Sequence, residues 1–418
     1  MPPTTPKTTV GGHIPTTRPP GQTAAATPTD QPRAARTPLT SRALRARQAL
    51  RHATPALLAY LAVRTTTLLL LTVWAHHEHQ PVWPILATQW DADWYLGIAD
   101  HGYAQDLGTR YDANNLAFFP LYPYLMKAVA VITPGSRAST GLAIAVVSSF
   151  IAAWGVFKVG DHLHGRRTGV LLTTLWAALP TGLVQWMGYT ESLFTACAAW
   201  SLYAVLTGRW LWAGTLAACA GLTRPTGIAV AAAVSLTALF TALLTVFRHR
   251  RFEPRTLVAA VVAPLGWCGY VGWVGLRLGR WDGYFAVQRL WHNELDGGRY
   301  TLRRMREVLL NNPAPQLFLV MVTLTLLVAA VLFVLSVWDR QPFALLVFTG
   351  VLLAIVLMSG GVYFPRARFL LPAFPLLLPL ALHLSRASAR HRVLMLTAAV
   401  TCGAYGSAYM ALVWPAAP

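Results

Sequence analysis

The run from Gln89 to Tyr103 sets two carboxylates, Asp91 and Asp93, between Trp90 on one side and Trp94 and Tyr95 on the other. A carboxylate partly withdrawn from water can take a proton from an incoming hydroxyl. Tryptophan faces stack on the C–H faces of sugars, so the flanking rings would suit a carbohydrate. The same pattern also fits ordinary loop acids within an aromatic belt, because Trp and Tyr collect at the membrane–water interface. A second stretch, Asn114 to Pro123, follows after a polar interval. Farther along, Glu191 opens an apolar run. There the dipole of a helix N-terminus accounts for an acid, or the acid forms a site wall touching sugar hydroxyls. Arg224, just before Pro225, leaves the same two readings. His76-His77-Glu78-His79 carries ligand-type side chains, but it reads as a polar loop end at the interface, and no metal is expected. Cys197, Cys219, Cys268 and Cys402 fall in apolar runs without metal or disulfide spacing and are read as small buried residues.

The elements that must position these residues are very apolar. Of 418 residues, 55% are hydrophobic and 12% charged, and mean hydropathy is +0.47. Soluble proteins carry roughly a quarter charged residues, so a soluble globular enzyme is excluded. About 20 apolar residues in a helix cross the roughly 30 Å of a bilayer's hydrocarbon. Such runs lie near 55–74, 138–160, 168–186, 189–207, 210–223, 225–247, 256–276, 315–337, 341–358, 369–385 and 393–413. The expectation is an all-α polytopic membrane protein of about eleven spans, with an uncleaved first span. Residues 1–54, rich in Pro and Thr and then basic, are expected to form a disordered cytoplasmic tail. Residues 55–418 then form a single transmembrane domain.

The formal net charge is +19, from 34 basic and 15 acidic residues, and 31 of the 34 are Arg. With the N-terminus inside and the spans alternating, 20 Lys and Arg fall on inner segments and 13 on outer ones. Cytoplasmic loops hold such an excess. The alternation puts 248–255 and 386–392 inside, and two long loops, 75–137 and 277–314, outside. Eleven of the 15 acids lie outside or at the outer ends of spans. The charge is therefore a membrane-surface feature rather than a nucleic-acid footprint. Asp91 and Asp93 lie on the side where nucleotide sugars are scarce, which argues against a metal-binding acid pair. Arg64 falls within the first span and requires a polar partner or must snorkel.

The run WDADWYLGIADHGY (90–103), with NNLAFFPLYPYL (114–125) behind it, resembles the PIG-V family of mannosyltransferases, especially bacterial members of actinobacterial type. That family belongs to the GT-C class of multi-span glycosyltransferases. Gly188 to Phe194, Leu222 to Gly227 and Arg366 to Pro375 are similar to later family segments, in the same order. The resemblance implies a GT-C-like multi-helix fold with its site on the non-cytoplasmic face of the plasma membrane. It implies a polyprenyl-phosphate-linked mannose donor, no cofactor, and an acceptor that is a lipid or a glycan. The family's Trp-Asp pair falls on Trp90 and Asp91. Asp91 is thus the expected general base of an inverting transfer, and Asp93 the residue that helps position the acceptor.

A phosphate-linked donor needs a cation at its phosphate, and the planar fork of Arg meets phosphate oxygens in pairs. Arg366 and Arg368 lie in the outer loop before Phe369. If the segment is extended, they point the same way; otherwise both simply snorkel to the headgroups. Trp90, Asp93, Trp94, Tyr95, Glu191, Arg224, Arg366 and Arg368 are therefore the candidate substrate-binding residues around Asp91. Arg299, Arg303 and Arg306, flanked by Leu302, Met305 and Leu309, suit a short helix on the outer leaflet, either as an anchor or in donor binding. The rival function is a transporter or flippase of lipid-linked sugars. A transporter would place carboxylates at the bilayer midplane, whereas here the acids gather in the first outer loop.

Overall fold

The apolar runs become helices of two lengths in the computed structural model, which describes residues 38–108, 114–249 and 253–417. The first part of the chain carries α1 (Pro38–His77), α2 (Val82–Ala87), α3 (Asp91–His101), α4 (Leu121–Ala130), α5 (Arg137–His164) and α6 (Arg166–Ala177). Then come α7 (Glu191–Leu206), α8 (Trp210–Gly221), α9 (Gly227–His249), α10 (Pro254–Val262), α11 (Leu265–Arg277) and α12 (Gly283–Leu290). The last part carries α13 (Arg299–Arg306), α14 (Leu317–Trp338), α15 (Phe343–Met358), α16 (Arg366–Phe369), α17 (Leu378–Arg386) and α18 (Ala389–Leu412).

Among the described residues, six stretches are long and apolar enough to cross a bilayer: Arg47–His77, Arg137–His164, Gly227–Phe247, Pro254–Arg277, Leu317–Trp338 and Ala389–Leu412. The expected eleven spans thus reduce to six of full length. The other five runs are helical but stop early. α7 and α15 have 16 residues each, and α6 and α8 have 12. At 1.5 Å per residue the longer pair reaches about 24 Å, short of the hydrocarbon thickness. Prolines set several of these ends. Pro180 follows α6, and Pro372 and Pro375 interrupt the run between α16 and α17, because proline removes a backbone donor and clashes with the preceding turn. The short α7 packs instead against α5, α8 and α9, inside the bundle.

Two further expectations change. Residues 1–37 of the expected tail lie outside the described residues, but Arg47 and Arg51 already belong to α1. Of the four cysteines read as buried, only Cys197 is; Cys268 and Cys402 are exposed on α11 and α18, on helices whose outer faces a bilayer would cover. Arg64 is buried and has a partner. It donates to the carbonyl of Ala177, at the C-terminal end of α6, and to Thr67 Oγ1 at 3.3 Å. The last carbonyls of a helix are unpaired and carry the negative end of its dipole, which is what a buried cation needs.

Contacts separate two ends of the bundle. At one, His52 Nε2 and Lys158 Nζ meet Asp161 at 3.1 and 3.0 Å, and Arg166 Nε donates to the His52 carbonyl at 3.2 Å. At the other, Arg277 donates to the carbonyls of Ala104 and Tyr103 at 2.6 and 3.0 Å, and Trp291 Nε1 to that of Asn114 at 3.3 Å. Leu295 also forms a β-bridge with Ser359 there. The loops after α1, α11 and α15 therefore meet at one end.

Candidate active site

α3 carries the candidate base, and the chain fixes both ends of that helix. Trp90 precedes it at φ 58° and ψ −122°, a region that side-chain-bearing residues rarely adopt. Its ring packs against the main core. At the far end Gly102 takes φ +81°, where the lack of a Cβ is required. Asn115 grips this turn from both sides: Nδ2 donates to the Gly102 carbonyl, and Oδ1 accepts from Ala104 N, both at 2.9 Å. The Asn114-Asn115 pair of the sequence thus locks the loop back onto the helix. Beside α3, Gly188 N donates to Leu86 O at 2.7 Å. A Cβ on Gly188 would meet Ala87 O at 3.3 Å and Ala92 Cβ at 3.4 Å, so glycine lets segment 188–191 lie against α2 and α3.

This packing brings four charged side chains together. Arg368 Nη2 donates to Asp91 Oδ2 at 2.7 Å, and Arg368 Nε lies 3.2 Å from Glu191 Oε1. Glu191 also pairs with Arg224, whose Nη1 donates to Thr190 Oγ1 at 3.3 Å. Glu191 is 1% exposed, Arg368 4% and Arg224 8%. Burial on its own pulls the Arg368 guanidinium down, but the carboxylates of Asp91 and Glu191 outweigh that and hold it above its ordinary range. The Tyr189 ring lies under Arg368 at 5.1 Å, and the Phe369 ring lies 5.3 Å from Arg368 and 5.5 Å from Arg224. Tyr95 Oη is 3.1 Å from Thr190 Oγ1, and burial, with Asp91 nearby, raises its hydroxyl well above the ordinary value. Tyr95 is therefore neutral at physiological pH.

The structure unites Asp91, Tyr95, Glu191, Arg224 and Arg368. Glu191 is buried, and its carboxylate is shared by two arginines. Arg366 does not join the group. Residues 366–369 form a helical turn, not an extended strand, and two residues along a helix point roughly 200° apart. Arg366 instead donates to Thr301 Oγ1, to Ser359 O at 2.5 Å and to Val362 O at 3.2 Å, between the rings of Tyr300 and Tyr363. It clasps α13 to the loop after α15. Asp93 is exposed and has no side-chain partner among the described residues. Trp94 stacks on Phe118 at 5.4 Å and meets the edge of Trp291 at 5.4 Å. The stretch 299–306 is helical as expected; Leu302 is exposed, and Arg303 lies over Tyr300. Among the described residues no group of three or more His, Cys, Asp or Glu side chains could hold a metal, and the stretch His76 to His79 forms none.

Sequence reasoning missed Thr190, Tyr189 and Phe369. All three lie inside runs already singled out, but nothing in their spacing marks partners so distant in the chain. It also missed a cavity of about 490 Å³ between α14 and α18, bordered by Phe318, Met321, Tyr405 and Tyr409 and, on the turn that carries Arg368, by Ala367 and Leu370.

No family model matches the chain. Over 151 residues, 34% of this chain, it is 26% identical to the GPI alpha-1,6-mannosyltransferase 2 of Rattus norvegicus and 27% identical to that of Mus musculus. The match spans only 29% of the length of these relatives. Among solved structures, ArnT from Cupriavidus metallidurans in the apo state superposes with a TM-score of 0.51 at 14% identity, over 82% of this chain and 65% of that one. That likeness is one of fold alone: an all-α polytopic membrane architecture.

Proposed function

We propose that the protein is an inverting mannosyltransferase of the plasma membrane, with its N-terminus in the cytoplasm and its site on the extracytoplasmic face. It moves mannose from a polyprenyl-phosphate-linked donor to a hydroxyl of a lipid or glycan acceptor. The observation that carries this reading is the 2.7 Å contact between Asp91 and Arg368, which joins a proton acceptor to a phosphate-type cation. The apolar cavity behind Ala367 and Leu370 supports a donor with a hydrocarbon tail. The partial likeness to two alpha-1,6-mannosyltransferases supports mannose as the sugar.

In this scheme the acceptor hydroxyl gives its proton to a carboxylate oxygen of Asp91, and its freed electron pair forms the bond to the anomeric carbon. The bond from that carbon to the phosphate oxygen breaks, and its pair stays on the phosphate. Polyprenyl phosphate leaves with the added negative charge, which Arg368 stabilises. A β-linked donor gives an α-mannoside. Electrostatic stabilisation of this kind is strong where water is excluded, as it is around Arg368.

Radiolabelled polyprenyl-phosphate mannose added to membranes that carry the protein tests the reading. Label transferred to a lipid or glycan product supports it. Label that crosses the membrane with its phosphate bond intact would establish a transporter instead.

A further inference from the structure

We infer that Arg368 changes partners during transfer, held by Asp91 in the resting site and passed to the donor phosphate as Asp91 takes the acceptor proton. The inference rests on the donor reading above and adds how the site times its charge.

The resting cluster holds two carboxylates, Asp91 and Glu191, and two guanidinium groups, Arg224 and Arg368, so its formal charge is zero. Arg368 is 4% exposed and spends its nitrogens unequally: Nη2 donates to Asp91 at 2.7 Å, Nε is ion-paired with Glu191 Oε1 at 3.2 Å without a hydrogen bond, and Nη1 has no hydrogen-bond partner among the described residues. A buried N–H of a cation left unmade is costly, and a ligand oxygen would satisfy it. A phosphate monoester engages guanidinium best through two parallel N–H groups. Among the described residues Nη1 makes no hydrogen bond, while the Asp91 carboxylate takes one of the two N–H groups of Nη2 and keeps its negative charge beside the other. A phosphate that bridges Nη1 and Nη2 is therefore repelled while Asp91 is charged, and it engages the fork fully once Asp91 is neutral and releases Nη2.

The chemistry supplies that release. When Asp91 accepts the proton its carboxyl becomes neutral and its hold on Arg368 weakens. The cluster then carries one net positive charge at the moment the departing phosphate gains one negative charge. Glu191, buried at 1% exposure and also paired with Arg224, keeps Nε throughout and stops Arg368 from following the product. The cation is thus withheld from the ground state and given to the transition state, the difference on which catalysis depends.

The test is the affinity of the full-length protein for a polyprenyl monophosphate in nanodiscs of neutral lipid, without acceptor. Asp91→Asn keeps the shape of the side chain and removes the negative charge that holds Nη2, so it should bind about tenfold more tightly than wild type or better. Glu191→Gln removes the same charge but not the competitor for Nη2, so its gain should be clearly smaller. Arg368→Gln should lose binding. Equal or weaker binding by Asp91→Asn, or equal gains in Asp91→Asn and Glu191→Gln, overturns the exchange while leaving the donor reading in place. No binding by wild type or Asp91→Asn overturns both. A measurement on the wild type covers the case in which Asp91→Asn does not fold: a hydrophobic carbodiimide should modify Asp91 several times faster when polyprenyl phosphate is present, and protection of Asp91 would sink the proposal.

Discussion

Tyr95 Oη lies 3.1 Å from Thr190 Oγ1, and this contact closes a ring that starts one turn earlier on the same helix, at Asp91. The ring runs from Asp91 to Arg368, Glu191, Arg224, Thr190 and Tyr95. Four separate chain segments meet in it. Residues four apart on a helix face the same side, so α3 offers Asp91 and Tyr95 together and the ring holds both. Such over-determination lets Trp90 keep a left-handed backbone just before Asp91. Strain of that kind persists only where the surroundings enforce it.

Asp91→Asn is expected to lose transfer by roughly 100- to 10,000-fold, the usual worth of a general base, with expression retained. Asp93→Asn should stay within a few-fold of wild type, because Asp93 is exposed and belongs to no ion pair among the described residues. Product formation measured in membranes decides. A dead Asp93→Asn beside a working Asp91→Asn would mean the base is misassigned.

Arg366 and Arg368 should separate under the same substitution. Arg368→Lys keeps the charge but loses the fork, so transfer should fall at least about tenfold, or 1.4 kcal/mol of barrier. Arg366→Lys should act on stability. It breaks buried hydrogen bonds to Thr301, Ser359 and Val362, each worth about 1–3 kcal/mol when a partner is stranded. Thermal unfolding in detergent should show the loss, while the apparent donor affinity of the surviving protein stays unchanged.

The contrast between these two arginines shows what the chain made legible. Among the described residues, hydropathy revealed every helix long and apolar enough to span, because burial in lipid imposes composition along the whole run, but not the short α2 and α4 inside the expected loop 75–137. It overstated the lengths of other helices, because a short helix buried inside the bundle is as apolar as one that spans. The aromatic-acid run around Asp91 was readable as chemistry. The partners of Asp91 were not: Arg368 is 277 residues away, and only the turn formed at Pro365 decides that Arg368 rather than Arg366 faces Asp91. Arg224 and Glu191 were visible as unusual charges beside apolar runs, but their mutual pairing is a product of the packing of α7 on α9.

Orientation is testable at exposed positions on the two ends. In a chain freed of its own cysteines, Gln105→Cys should react with a membrane-impermeant maleimide in intact cells, and Ala389→Cys only after lysis. Both sites are exposed, and the excess of basic residues near 389 is the ground for expecting that end in the cytoplasm. The opposite labelling pattern would put Asp91 on the inner face and exclude an extracytoplasmic site.

Glu191 and Arg224 should behave as a pair. Glu191→Gln leaves the buried Arg224 guanidinium without its carboxylate while Arg368 keeps Asp91, and Arg224→Gln leaves two carboxylates sharing Arg368. Removing one partner of a buried ion pair costs about 3–5 kcal/mol, because the other charge is stranded. The double variant removes one charge of each sign and leaves the Asp91–Arg368 contact neutral overall. Residues in contact couple by about 0.5–3 kcal/mol, so the double variant should be more stable than either single one, and its transfer rate should recover in step. The cycle also separates two roles. If Glu191 and Arg224 position Arg368, restoring neutrality restores function. If either touches the sugar, the double variant will be no more active than the worse single variant even where its stability returns. The burial of Glu191 at 1% and of Arg224 at 8% favours the first outcome, and unfolding curves measured beside transfer rates on the same four proteins distinguish it from the second.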